Sequence, residues 1–249
     1  IDKLIEGTNE ILTANRNSLQ LFDMLHSMRQ FDDLTYVHSV NVALIASILG
    51  QWLKFSEKDI RILTISGLLH DIGKIMIPNE ILTKPGKLTV AEYNIMKQHV
   101  NFGYEKVKNQ NIDIRIKEAC LLHHEKCDGT GYPFGLKSDH IPAVAKIIAI
   151  ADVYDAMTSA RVYRGALCPF EVIDTMYKDA FTKFEPEYIL PFLKNVASSY
   201  INNDVRLSDG RIGKVVLINE NALSLPIVQC EDEFIDLSKT RGLTVSAIL

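Results

Sequence analysis

Two apolar runs, ILTISGLLHD at residues 62–71 and VAKIIAIADVYDAM at 144–157, each carry a carboxylate where the pattern asks for a core side chain. Both runs read as helix, and the carboxylates are Asp71 and Asp152. An ionised Asp inside such a run costs several kcal/mol unless it is paired or coordinates a cation. The fold therefore has to supply partners for these groups within a helical interior. A hydrogen-bonded structural Asp meets that demand, and so does a ligand to a metal. Asp155, three residues after Asp152, can instead face solvent or cap a neighbour.

The rest of the chain supports a mainly helical reading. Leu4, Ile5, Ile11, Leu12, Leu19, Phe22 and Leu25 are spaced for helix, with breaks near Thr8 and Asn15–Asn17. Helices are predicted over about 35–53 and 57–72, the second N-capped by Ser56 with Glu57 just inside. IPNEILTKPGKLT is a loop, and Thr89 with Glu92 forms a capping box before VAEYNIMKQHV. Further helices are expected around 112–125, 143–160, 170–181 and 186–200. After Asn202-Asn203 the pattern turns to β: VRLSDGRIGKVVLI and LPIVQCEDEFIDLS read as two hairpins. The expected organisation is an N-terminal helical segment at 1–30, a helical domain at 31–202 and a small β-rich appendage at 203–249 that docks rather than stands alone.

Composition excludes several classes. With 249 residues, 47% hydrophobic and 23% charged, the chain can bury a sizeable core. A net charge of −4 gives no bulk attraction to DNA, RNA or anionic membrane, so any phosphate-binding surface is local. Four cysteines without a CxxC pair form neither a zinc ribbon nor a disulfide framework and suit a reducing, cytoplasmic setting. No apolar stretch of about 20 residues suggests a spanning helix. The chain starts at Ile1 and reads as a piece of a longer protein, which leaves room for an upstream membrane or sensor domain.

Of 7 histidines, His38, His70, His99, His123 and His124 fall on predicted helices beside apolar neighbours. A lone helical histidine is more often a satisfied core or surface residue. Five together, with Asp71 and Asp152, form an imidazole–carboxylate set without thiolates, suited to iron, manganese, zinc or nickel and to a two-metal hydrolytic centre. Asp71, adjacent to His70, can bridge two metals. His123 and His124 project ~100° apart on a helix, so both reach one metal only near a helix end or distortion.

The ordered motifs YVHSVNVA (36–43), HDIGK (70–74), KQHVNFGYE (97–105), HHEKCDGTGYP (123–133) and IADVYDAMTSARVYR (150–164) resemble the HD-GYP branch of the HD phosphohydrolase superfamily. The resemblance runs unbroken over roughly residues 30–200. It implies a multi-helix HD-type bundle that hydrolyses cyclic di-GMP to linear pGpG in bacterial signalling, with further cleavage to GMP left open. It implies a metal site of His38, His70 and Asp152 on one ion and His99, His123 and His124 on the other, with Asp71 between them. Leu34 stands where some members carry a glutamate for a third metal, so two divalent ions are expected, iron or manganese first.

Lys74, four residues after His70, is expected to point at the same centre and clamp the phosphate, which with Asp71 makes it catalytic. Arg161 and Arg164, three apart, match the family's arginines that contact the cyclic dinucleotide. In the turn Asp128-Gly129-Thr130-Gly131-Tyr132-Pro133, glycines permit positive φ and close backbone approach and Pro133 stiffens the exit. Chemistry alone leaves it either structural or substrate-facing. The resemblance places Gly131, Tyr132 and Pro133 at the substrate and offers the turn as a docking surface for a diguanylate cyclase. Cys120 reads as core and Cys127 as loop, and the β-appendage suggests docking or a homodimer. The rival readings are a phosphohydrolase for another dinucleotide, such as cyclic GMP-AMP, and a non-catalytic cyclic di-GMP sensor, which would lack a ligand or the lysine.

Overall fold

A computed structural model describes residue 28, residues 32–159 and residues 167–249. Two expected features, the N-terminal helical segment at 1–30 and the pair Arg161 and Arg164, lie outside the described residues, apart from Met28. The chain divides into two compact units between Asp155 and Ala156.

In the first unit, α1 (Asp33–Trp52) starts at Asp32, whose carboxylate accepts from the backbone of Leu34 and Thr35 at 3.2 and 3.1 Å. Asp32 is thus committed to capping. Helix α2 (Glu57–Leu69) is capped by Ser56, whose hydroxyl accepts from the Asp59 backbone. It packs against both α1 and α6 (Ile114–Leu122), so all eight residues from Ile62 to Leu69 are buried. That two-sided cover explains why ILTISGLL is apolar all round rather than amphipathic.

Helix α2 stops at Leu69, and a 3-10 turn follows over Ile72–Met76. The single helix expected to 72 is broken there, and His70-Asp71 sits at the break. After the short α3 (Asn79–Leu82), α4 (Val90–Met96) carries the expected Thr89–Glu92 capping box, further tied by Lys84 at 2.7 Å from both Glu92 oxygens. Helix α5 (His99–Val107) lies against the 3-10 turn. At Gly73 a Cβ would come 1.9 Å from the His99 carbonyl oxygen and 2.4 Å from the Gly103 nitrogen, so only glycine lets these backbones meet. Helix α7 (Ala143–Thr158) buries Ile147, Ile148, Ile150 and Ala151 together with Asp152 and Asp155. Each fully buried Leu or Ile of this core contributes roughly 1.5–3 kcal/mol.

Helix α1 corrects one reading. Its Leu34–Trp52 stretch reaches a mean hydropathy of 1.2 over a span-length window, so one helix among the described residues is long and apolar enough to cross a membrane. Its apolar character has another use, because α1 packs on α2 and carries His38 into the interior.

In the second unit, α8 (Pro169–Asp179) and α9 (Pro186–Ser199) pack together around Phe170, Ile173, Phe192 and Leu193, and α8 touches β5. The strands are β1 (Asp204–Leu207), β2 (Ile212–Leu217), β3 (Ile227–Cys230), β4 (Glu233–Asp236) and β5 (Val245–Ile248). They form an antiparallel sheet in the order β4-β3-β2-β1-β5. Val205, Leu207, Val215 and Val228 point to its buried face, as period-two alternation demands. Both expected hairpins form, and α8 and α9 group with the sheet.

Candidate metal centre

Three histidines are held in the same way. The Nδ1 of His70 donates to the Gly67 carbonyl at 2.7 Å, that of His99 to Met96 at 2.8 Å, and that of His123 to Ala119 at 2.9 Å. A carbonyl only accepts, so Nδ1 carries a proton in each ring and Nε2 is the atom left for another partner. All three Nε2 atoms turn toward Asp71: His70 lies 3.2 Å from Oδ2, His99 3.3 Å and His123 3.9 Å from Oδ1. A backbone carbonyl three or four residues earlier thus fixes the tautomer that a metal ligand needs.

His38 is held differently. Its Nδ1 lies 2.6 Å from Asp155 Oδ2, and its Nε2 lies 3.0 Å from Asp152 Oδ1 and 3.7 Å from Asp71 Oδ2. Asn41, almost one turn along α1, donates to the other Asp155 oxygen at 2.9 Å. His124 Nδ1 lies 3.9 Å from Asp152 Oδ2. The histidine pair can converge because α6 ends at Leu122, leaving His123 as the C-cap and His124 past the helix.

Asp71 is the hinge of the arrangement. It belongs to two groups whose ligand atoms all lie within 4.8 Å of one another: Asp71, His99, His123 and His124, and His38, His70 and Asp71. Asp152 stands outside both groups yet touches His38 of one and His124 of the other. Lys74 Nζ lies 2.5 Å from Asp71 Oδ2. Its route is the i,i+3 spacing of the tighter 3-10 turn rather than an α-helical turn from His70.

The protonation states of His99, His123, His124, Asp71 and Asp152 suit a cation, and a metal on His38 would displace a proton. Burial holds His99 and His123 below the ordinary histidine range and takes His124 down to about 3, so all three are neutral at pH 7. Burial opposes the charge of Asp71 and Asp152, but His70 and Lys74 hold Asp71 ionised, and the His38 hydrogen bond does the same for Asp152. Burial also opposes the His38 imidazolium, yet the carboxylates of Asp152 and Asp155 raise its pKa to about 9. His70 Nε2 and Asp71 Oδ1 are buried with no hydrogen-bond partner. Orphaned atoms of that kind, within an imidazole–carboxylate set without thiolates, fit a divalent metal site.

The glycine-rich turn is explained by Glu125. This buried carboxylate, next in sequence to His124, accepts the backbone N–H groups of Phe134 at 2.7 Å, Gly135 at 3.1 Å and Leu136 at 2.9 Å. The chain then folds back so closely that a Cβ on Gly131 would lie 2.5 Å from the His124 oxygen, the Glu125 Cα and the Lys126 nitrogen. Gly129 supplies the positive φ, +82°, while Asp128 bonds Thr130 within the turn. Tyr132, joined to Pro133 by a cis peptide, stacks on His124 at 4.7 Å and 27°. The turn therefore packs directly on a histidine of the candidate metal site.

Sequence reasoning left Asp155 as a residue for solvent or a cap and did not single out Asn41 or Glu125. Signals existed: Asp155 is i+3 from Asp152, Asn41 is i+3 from His38, and Glu125 lies three residues before the Asp128–Pro133 turn. Cys120 is buried as expected, its thiol pushed up to about 12 by burial, and donates to the Leu69 carbonyl.

The HD domain family profile matches residues 8–188. A cyclic di-GMP phosphodiesterase of Pseudomonas aeruginosa is 36% identical over 203 residues, covering 81% of this chain and 49% of its own length. A 3'3'-cGAMP-specific phosphodiesterase of Vibrio cholerae is 32% identical, covering 74% of this chain and 36% of its own. An HDGYP protein from Bdellovibrio bacteriovorus shares the fold at a TM-score of 0.55 and 19% identity, over 75% of this chain and 60% of that one. The chain spans about half the length of the first curated relatives, 49%, 52% and 53%.

Proposed function

The chain belongs to the HD domain family, and on that footing we propose that it is a metal-dependent phosphodiesterase that hydrolyses cyclic di-GMP to linear pGpG. The observation that carries this reading is Asp71, whose two oxygens serve two converging sets of imidazoles. The proposed ligands are His38, His70, Asp71 and Asp152 for one ion and Asp71, His99, His123 and His124 for the other. Iron or manganese in both positions would supply Lewis-acid charge and an activated water for in-line attack on phosphorus.

The chain's own groups have distinct tasks in this reading. Backbone carbonyls aim His70, His99 and His123, and Asp155 aims His38. The Lys74 ammonium, exposed on one side and bonded to Asp71 on the other, holds a phosphate oxygen and the charge that develops on it. Tyr132, kept on His124 by the turn, borders the substrate with Gly131 and Pro133. Arg161 and Arg164 bind its phosphates or guanines.

The cGAMP-specific relatives support a second substrate reading, 3'3'-cyclic GMP-AMP. The test is to load the protein anaerobically with iron or manganese, incubate it with each cyclic dinucleotide and separate the products by chromatography. His70→Ala/Asp71→Ala serves as the control. Full activity in that double variant would sink the mechanism, and faster turnover of cyclic GMP-AMP would select the second substrate.

A further inference from the structure

Lys97 lies beside the metal centre without belonging to it. It is the C-cap of α4, two residues before His99, and is half-buried. Its Nζ stands 5.3 Å from the centre of the Tyr93 ring and 5.9 Å from that of Tyr132. Tyr132 in turn stacks on His124, so one aromatic ring separates this cation from the ligand set. Lys74 and Lys84 are paired with Asp71 and Glu92, whereas Lys97 has no carboxylate partner among the described residues. Two aromatic faces attract an ammonium but accept few of its three N–H donors, which leaves it ready for an anionic oxygen.

A cyclic dinucleotide brings such an anion. While one phosphodiester sits at the metals and Lys74, the other lies across the same macrocycle and still carries its charge. We propose that Lys97 is a substrate-binding cation that takes the phosphodiester not being cut, with Tyr93 and Tyr132 holding its ammonium in place. This rests on the reading of the chain as a cyclic-dinucleotide phosphodiesterase. The side chain contributes to selection of two-phosphate substrates over single esters.

The experiment compares Lys97→Met and Lys97→Arg with wild type on cyclic di-GMP and on bis(p-nitrophenyl) phosphate, an ester with a single phosphodiester. One lost charge-assisted hydrogen bond predicts that Lys97→Met raises KM for cyclic di-GMP roughly 10-fold or more, with a smaller change in kcat. The ratio of kcat/KM for cyclic di-GMP over the single ester falls by a similar factor, and Lys97→Arg recovers most of it. Equal losses on both substrates would show a merely structural lysine and overturn the proposal. An unchanged KM in an enzyme that cleaves cyclic di-GMP would overturn it as well, leaving the activity itself intact. A metal-loaded wild type that cleaves the single ester but no cyclic dinucleotide would remove the functional reading and this proposal together.

Discussion

Asp155→Asn is an almost isosteric change with a large expected effect. The Asp155 carboxylate accepts from two donors, His38 Nδ1 at 2.6 Å through Oδ2 and Asn41 Nδ2 at 2.9 Å through Oδ1. An amide has one accepting end and one donating end. If the oxygen of the new amide stays on Asn41, its NH2 faces His38 Nδ1 and forces the ring proton onto Nε2, the atom needed for metal. If that oxygen turns to His38 instead, two NH2 groups oppose each other until the Asn41 amide turns as well to offer its oxygen. The first arrangement loses a buried hydrogen bond and both lose the carboxylate charge behind the His38 ring, and the loss of this outer support costs about 10–100-fold in metal affinity, or roughly 1.4–2.7 kcal/mol. The complementary swap Asn41→Asp/Asp155→Asn restores the pattern. The carboxylate then at position 41 accepts from the amide NH2 at position 155, whose oxygen is free to accept from His38. Competition titration of Mn2+ against a chromogenic chelator measures both variants. Wild-type affinity in Asp155→Asn, or a double variant no tighter than the single one, would refute the reasoning.

Three further outcomes follow from the same geometry. Glu125→Gln leaves only one accepting oxygen for three loop N–H groups, so it should raise KM about 10-fold through loss of one to two hydrogen bonds while metal content by elemental analysis stays at the wild-type level. Gly73→Ala drives a Cβ into the His99 carbonyl, and separating the 3-10 turn from α5 should cost about 1–3 kcal/mol; a melting curve indistinguishable from wild type would contradict the packing. In the metal-free protein, neutral His99, His123 and His124 bind fewer protons folded than unfolded, so stability falls as pH drops below about 6.5, by ~1.4 kcal/mol per pH unit for each. His38 has the opposite sign: its contribution is complete below about 6.5 and is lost as pH rises toward about 9. Urea unfolding after chelation should therefore show greatest stability near pH 6.5, and a profile flat from pH 5 to 8 would count against these protonation states.

Local rules made much of the fold legible. Ser56 and Thr89–Glu92 could be recognised as caps because a cap needs partners only two or three residues away. The hairpins around Ser208-Asp209-Gly210 and Glu231-Asp232 were legible for the same reason, since short turns fix strand pairing locally. The end of α2 before residue 72 was not. Its propensity continues past Leu69, and the helix stops where Gly73 must meet the α5 backbone.

The same division runs through the site. Its residue types and order along the chain are properties of sequence: five imidazoles and two carboxylates that an apolar core would not tolerate without partners or a cation. Which Asp71 oxygen faces which histidine was decided only when α1, α2, α5 and α6 packed together. So was the orientation of His38 by Asp155, across 117 residues of chain, and the capture of three turn N–H groups by Glu125. A sequence determines which groups need partners, because desolvation cost belongs to each residue. The tertiary structure decides who the partners are, because hydrogen bonds act over about 3 Å and only packing brings distant residues that close.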